Sequence, residues 1–169
     1  GSLELVDIRG ETFGEGLTYP LGGIRLQEAS EGSIRKAERI AQQVLEKTPI
    51  LPALAGRSFY AVGGTWRSLA KLHMHQTDYP LRVMHNYSIP ADVALDLCRE
   101  VGRGAVELLP RIESVSKQRR ELLPFGAVVL AQVIRAGRPK DVVLSALGLR
   151  EGHLYELLSP EERLRDPLQ

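Results

Sequence analysis

The 169-residue sequence has one cysteine, almost no net charge and no long apolar run. The single cysteine, Cys98, excludes an internal disulfide, which fits a reducing compartment. With 22 Lys and Arg against 21 Asp and Glu, the net charge of +1 argues against a polyanion-binding surface spread over the whole domain. No apolar stretch approaches transmembrane length, and the first residues lack the pattern of a secretory leader. We therefore predict a cytoplasmic protein that contacts neither a membrane nor nucleic acid.

Length and composition predict one soluble α/β domain, because 169 residues with 43% hydrophobic and 25% charged residues suit a single core. Hydrophobic periodicity predicts a hairpin within 3–21, a strand at 59–62, a buried strand at 141–146, and helical segments at 33–45, 66–75, 91–103, 106–115, 125–136 and 150–158. Gly22-Gly23 is predicted to break the hydrophobic periodicity, and Gly102 and Gly104 are predicted to separate helices. A helix is predicted to start at Ser88–Asp92. This order predicts a mixed sheet covered by helices.

The most informative segment is Phe59–Ala70, where an apolar strand ends in two glycines and a helix follows. Gly63 and Gly64 let the backbone bend and approach an anion, while Thr65 is predicted to cap the helix or donate its hydroxyl. The helix start offers unpaired N–H groups, and Arg67 adds a positive charge on the first turn. A phosphate-binding turn and a purely structural turn both use such glycines, and these residues alone do not decide between them.

Both chain ends are abrupt, since Gly1-Ser2-Leu3-Glu4-Leu5 begins inside a strand and Asp166–Gln169 ends without a terminal element. We expect such ends from a piece of a longer polypeptide. Gly1-Ser2 is either the tail of a glycine-rich phosphate loop or a remnant of cloning.

Six short motifs occur in order along nearly the whole chain, at Gly1–Leu5, Tyr19–Leu26, Val62–Ala70, Tyr79–Leu81, Pro124–Ala127 and Ser145–Gly152. Together they resemble the exopolyphosphatase and guanosine pentaphosphate phosphohydrolase (Ppx/GppA) family of the actin, sugar kinase and heat-shock ATPase superfold. The resemblance implies an α/β, ribonuclease-H-like fold with a mixed sheet flanked by helices. It also implies that residues 1–169 form the second, C-terminal domain of a two-domain phosphatase whose N-terminal domain is absent.

Members of this family, as the resemblance implies, use Mg²⁺ to hydrolyse terminal phosphoanhydride bonds of inorganic polyphosphate or guanosine pentaphosphate in a cleft between the domains. Gly63–Thr65 match one phosphate loop, and Gly1 and Ser2 match the tail of another. Glu4 matches a catalytic acidic position that faces the metal, directly or through water, and the attacking water. Oxygen donors, a divalent ion and a carboxylate are the groups that hydrolysis of a polyanion requires.

The resemblance also places the main catalytic glutamate and another glycine loop upstream of Gly1. The isolated chain is therefore expected to bind phosphate weakly and to be inactive. Because the face toward the missing domain is expected to be apolar or mobile, self-association of the isolated chain, for example as a homodimer, is a natural consequence.

Other interpretations stay open at this point. Glu4 fits a solvent-facing strand position, Arg67 a surface arginine, and Lys117–Arg120 a solvated turn that a polyphosphate chain leaving the cleft would also suit. The whole chain also fits an ATPase or sugar-kinase-like domain of the same superfold, or a noncatalytic phosphate-binding or assembly module.

Overall fold

The computed structural model describes residues 1–10, 12–81, 83–103, 105–163 and 165. Gly104 and the chain end at Asp166–Gln169, for which the sequence analysis makes predictions, lie outside these residues. The strands are β1 (Leu3–Leu5), β2 (Ile8–Arg9), β3 (Thr12–Phe13), β4 (Leu17–Tyr19), β5 (Ser58–Val62), β6 (Tyr87–Pro90) and β7 (Asp141–Ser145). The α-helices are α1 (Gly23–Ala29), α2 (Ile34–Leu45), α3 (Gly64–Gln76), α4 (Ala91–Val101), α5 (Lys117–Arg120), α6 (Leu123–Gly137), α7 (Leu149–Glu156) and α8 (Pro160–Arg163).

The first four strands form the predicted hairpin. β1 pairs antiparallel with β4, and β2 pairs antiparallel with β3 farther along the same ribbon. Leu3 and Leu5 are buried while Glu4 between them is exposed, as the period of two along a strand requires. The hairpin therefore attaches to the core through its leucines and presents Glu4 on the other face.

The second sheet is mixed, as predicted, with the order β5-β7-β6. β5 is parallel to β7, and β6 is antiparallel to β7. Strand β6 is not predicted from the sequence, because Ser88–Asp92 suggests a helix start. The residues before Ala91 instead pair with β7, and α4 begins after Pro90 without a side-chain cap.

Helix α6 lies at the centre of the core, and nearly all its residues are buried. Such a helix is apolar on every side, so neighbouring helices pack around it. Helices α2, α3 and α4 all contact α6. The predicted start of α2 at Ser33 agrees with the structure, where Ser33 caps the helix and the Lys36 N–H donates to Ser33 Oγ at 3.3 Å. Within the described residues, no helix is both long and apolar enough to cross a membrane.

Two further sequence predictions about helices are wrong. Gly22-Gly23 does not simply interrupt the chain, because Gly22 is the N-cap of α1 and Gly23 its first residue. Residues 106–115 do not form one α-helix but two 3-10 turns, Val106–Leu108 and Ile112–Ser114. Pro110 and Arg111 lie between these turns, and Arg111 has a φ of 63°, which a continuous helix does not permit.

Candidate phosphate-binding site

The turn between β5 and α3 has the form that the sequence predicts, with one correction. Gly63 is the N-cap residue of α3 and has a φ of 137°, a conformation that L side chains rarely adopt. Thr65 therefore lies inside the first turn of the helix and does not cap it, and no side chain does so. The first helical N–H to reach an intrahelical carbonyl is that of Arg67, which donates to Gly63 O at 3.0 Å. The preceding amides of the first turn have no such acceptor.

Helix α6 holds this turn in place through a close contact at Gly126. A Cβ built on Gly126 would lie 2.3 Å from Thr65 Cγ2, so only glycine allows the two helices to approach this closely. The Trp66 indole N–H donates to the Gly126 carbonyl at 3.0 Å, and the Trp66 ring packs edge-on against Phe59 of β5. The start of α3 is thereby fixed to both the sheet and the central helix.

Arg119 flanks the turn. A Cβ built on Gly64 would lie 3.9 Å from Arg119 Cζ and 4.0 Å from its Nη1, so the guanidinium stands beside the helix start. Arg119 is exposed, whereas neighbouring Arg120 is engaged in an ion pair with Glu107 at 2.7 Å and a hydrogen bond to Val115 O at 2.9 Å. From the sequence, Lys117–Arg120 form only one basic cluster, because the separate directions of these arginines depend on tertiary contacts.

Arg67 is half-buried and points toward the segment after β7. Its Nη1 donates to Ala146 O at 3.0 Å, and its Nε is buried without a hydrogen-bond partner. Nearby, Glu151 Oε2 accepts from the Gly148 N–H at 2.7 Å and caps α7. Hydrogen bonds from the backbone N–H groups of Glu151 and Gly148 hold the pKa of the Glu151 carboxyl below its ordinary value. Arg67 therefore ties α3 to the loop that leads into α7.

The remaining predicted site residues lie on the hairpin. Glu4 is exposed and its Oε1 accepts from Ser2 Oγ at 3.2 Å. Gly1 packs on Gly22, where an added Cβ would lie 2.2 Å from the Gly1 carbonyl carbon. Gly1 thus lies at the start of α1, and neither Gly1 nor Ser2 is among the residues that line the groove described next.

A groove with a volume of about 810 Å³ is lined by Glu4 and by Val62 and Trp66. Val62 and Trp66 are the residues on either side of the Gly63–Thr65 turn. Within the described ranges, no three His, Cys, Asp or Glu side chains lie close enough together to form a metal cluster. Glu4 alone does fit magnesium, because Mg²⁺ keeps several waters and takes only one or two protein carboxylates. The structure therefore places the exposed Glu4 carboxylate in one groove with the two residues that flank the Gly63–Thr65 turn.

A model of the Ppx/GppA phosphatase family matches residues 1–161. The chain belongs to this family. Solved structures agree in fold: a type II variant of the Aquifex aeolicus Ppx/GppA phosphatase has a TM-score of 0.70 at 22% identity, with 94% of this chain and 54% of that chain covered. Another Aquifex aeolicus structure of the Ppx/GppA family has a TM-score of 0.69 at 21% identity, covering 94% and 55%. An exopolyphosphatase-like protein has a TM-score of 0.71 at 19% identity, covering 90% and 53%.

These similarities confirm the predicted family and the α/β fold of the actin-like ATPase superfold. The chain spans about half the length of these solved structures. No curated protein matches it.

Proposed function

We propose that this chain is the C-terminal domain of a Ppx/GppA phosphatase that hydrolyses terminal phosphoanhydride bonds, and that it forms one wall of an interdomain cleft. The proposed substrate is inorganic polyphosphate or guanosine pentaphosphate, and an N-terminal domain supplies the other wall. The observation that carries this proposal is the uncapped start of α3 at Gly63, with Arg119 beside it.

The turn suits phosphate for electrostatic reasons. Amides of the first turn of α3 point outward without intrahelical acceptors, and the helix adds a partial positive charge at the same end. Arg119 offers a charge-assisted hydrogen bond to a second phosphate oxygen. In the proposed mechanism these donors bind the nonbridging oxygens, whose charge must be stabilised during phosphoryl transfer. Arg67 contributes from the same turn while its Nη1 holds Ala146 in place.

Glu4 is the residue that we propose acts on the attacking water. Its exposed carboxylate orients or deprotonates the attacking water, with Ser2 Oγ as its hydrogen-bond partner. Bound magnesium would offset phosphate charge, and Glu4 is the residue proposed to hold it, directly or through a water. Gly1 and Ser2 are proposed to contact phosphate from the hairpin side. The isolated chain has only these groups, so we propose that it binds phosphate weakly and turns over little or nothing.

The turn is tested with Gly64→Ala, because the added methyl meets only Arg119 at van der Waals distance and leaves the fold intact. The affinity for polyphosphate, measured by calorimetry at low ionic strength, should weaken about tenfold or more. A tenfold change corresponds to a loss of about 1.4 kcal/mol in binding free energy. Arg119→Gln should weaken it about 10- to 100-fold, as a lost charged hydrogen bond implies. Gly152→Ala, where a Cβ meets nothing within 4 Å, is the matched control.

Catalysis is tested by comparing magnesium-dependent phosphate release by this chain and by the polypeptide extended upstream through its own coding sequence. We expect phosphate release by the extended protein and not by this chain. We also expect Glu4→Gln to abolish that release. Competition by ATP against polyphosphate would instead favour an ATPase or kinase of the same superfold. If Gly64→Ala and Arg119→Gln leave the affinity for polyphosphate unchanged, that result would contradict a phosphate-binding turn. It would favour a noncatalytic module instead.

A further inference from the structure

Arg119 and Arg120 are neighbours on α5, yet their side chains leave the helix in different directions. Successive residues of an α-helix are rotated by roughly 100°, so two adjacent side chains face different surroundings. The Arg119 guanidinium stands beside the phosphate turn, with Cζ 3.9 Å from the position of a Cβ on Gly64. Arg120 faces the segment before α5, where its Nη1 donates to Glu107 Oε2 at 2.7 Å. A rotation of α5 would therefore move both side chains together.

Packing alone does not fix the orientation of α5. The helix has four residues, and none of them is buried. A helix this short is unstable by itself, and the side chain of its N-cap residue, Ser116, makes no capping hydrogen bond. A cavity of about 610 Å³ is lined by α5 residues and by the turn Val106–Leu108. Open space therefore adjoins α5 on this side.

Arg120 attaches α5 to the segment that precedes it. Its Nε donates to Val115 O at 2.9 Å and its Nη1 donates to Glu107, so the guanidinium joins two points of that segment. The Arg120 side chain is 13% exposed, although that of Glu107 is 68% exposed. Within the described residues, these are the only hydrogen bonds made by side chains of α5. A planar guanidinium held at two of its nitrogens has a defined direction.

The segment that holds Arg120 is anchored on α3. Val106 and Ile112 of its two 3-10 turns are buried, and the second turn contacts α3. Gln76, the last residue of α3, donates from its Nε2 to Pro110 O at 3.2 Å. The hydrogen bonds of Arg120 therefore connect α5 to the same helix whose first turn is the phosphate turn.

We propose that Arg120 is a positioning residue for Arg119. Its hydrogen bonds to Glu107 and Val115 O hold α5 in the orientation that keeps the Arg119 guanidinium beside Gly64. Arg120 acts through Arg119 and does not bind the phosphate, because its own Nε and Nη1 are already engaged. The effect on affinity rests on the proposed function, in which Arg119 binds phosphate. A side chain that is placed before the ligand arrives loses less conformational freedom on binding.

Calorimetry with polyphosphate tests this role in the polypeptide extended upstream through its own coding sequence, without magnesium and at low ionic strength. Arg120→Met should weaken the affinity about 2- to 10-fold, the effect expected for ordering one flexible side chain. In the Arg119→Gln background, Arg120→Met should weaken it no further, because the group that it positions is gone. An equal loss in both backgrounds, which a general structural role would give, would overturn the proposal.

Two milder variants and a matched control accompany this test. Arg120→Lys keeps the charge but lacks the planar fork, so its affinity should lie between wild type and Arg120→Met. Glu107→Ala removes one of the two hydrogen bonds at an exposed side chain, so it leaves the fold intact and should lower affinity in the same direction. Arg99→Met breaks the 2.8 Å ion pair with Asp96 inside α4 and should leave affinity unchanged. Wild-type affinity in both Arg120→Met and Glu107→Ala would contradict the positioning role.

Backbone ¹⁵N relaxation of the Arg119 amide, measured without phosphate, separates this proposal from the proposed function. The order parameter should fall from about 0.85, typical of rigid backbone, toward 0.6 or below in Arg120→Met. An unchanged order parameter would overturn the positioning role whatever the affinities are. A lowered order parameter with polyphosphate affinity insensitive to Arg119→Gln and Gly64→Ala would refute the phosphate-binding turn and leave the attachment of α5 by Arg120 standing.

Discussion

Replacing Gly126 by alanine tests whether the central helix sets the position of the phosphate turn. The new Cβ would lie 2.3 Å from Thr65 Cγ2, a distance that real Cβ atoms essentially never show, and 3.2 Å from Thr65 Cβ, which is tighter than most real contacts. Gly126 and its helix are buried, so α6 has no room to retreat. The start of α3 must therefore move outward and stretch the 3.0 Å hydrogen bond from Trp66 to the Gly126 carbonyl.

The expected magnitude combines three effects. Overpacking in a close-packed core costs about 1–3 kcal/mol. A weakened buried hydrogen bond adds about 0.5–1.5 kcal/mol, and the better helix propensity of alanine returns about 1 kcal/mol. We expect a net loss of about 0.5–3.5 kcal/mol in the free energy of unfolding. Thr65→Ser removes the clashing methyl, so Gly126→Ala combined with Thr65→Ser should recover much of that loss.

Urea unfolding of the wild-type chain, both single variants and the double variant gives the coupling energy, expected at about 0.5–3 kcal/mol for groups in direct contact. The variants should have the same order of stability in thermal unfolding, with a shift in Tm of about 2–4 °C per kcal/mol for a chain of this size. Gly152→Ala on exposed α7 is the matched control and should lose no stability, because its Cβ meets nothing within 4 Å. A Gly126→Ala variant as stable as wild type, or strictly additive effects with Thr65→Ser, would refute this account of the contact.

Three further predictions concern individual titrating groups. The Arg57 hydrogen bond holds the pKa of the Asp7 carboxyl below its ordinary 3.8, so this contribution to stability is present above that pH and is lost as the pH falls through the lowered pKa. Asp7→Asn should therefore show a smaller acid loss in its urea midpoint, and an identical acid profile would argue against the pair. Burial lowers the pKa of His73 from 6.5, so stability should decline as the pH drops below that value; His73→Phe should flatten this slope, and an unchanged slope would exclude His73 as its cause. Burial raises the pKa of Cys98 to about 12, so a thiol reagent at about pH 8 should label the native chain only as fast as it opens, and prompt labelling would contradict its buried position.

Local sequence signals were sufficient to predict elements whose ends are marked by glycines or by a residue such as Ser33. The apolar run ending at Val62 and the following glycines predict β5, the turn and α3, and Ser33 predicts the start of α2. These features depend on backbone conformation and capping within a few residues. The family and fold predicted from the ordered motifs are confirmed.

The missed features depend on contacts between residues distant in the sequence. Strand β6 is four residues long and exists through its pairing with β7, about 55 residues away in sequence, so Ser88–Asp92 alone suggests a helix start instead. The place of Arg119 beside Gly64 joins α5 to α3, which no local pattern encodes. The roles proposed for Glu4 and the glycine turns stay predictions, since no ligand tests them.

The two parts of the proposed site are held by different means. The Gly63–Thr65 turn is fixed by β5 and by α6 through Trp66, whereas Glu4 lies on a hairpin that no main-chain hydrogen bond joins to β5 within the described residues. Arg57 links the far end of that hairpin to β5, and the edge near Glu4 faces the groove. Phosphate binding needs only the turn, while hydrolysis needs Glu4 held at a fixed distance from it, because reacting groups must be positioned to a fraction of an ångström. We therefore expect the isolated chain to keep weak, Gly64-dependent phosphate binding in calorimetry and to release no phosphate from polyphosphate.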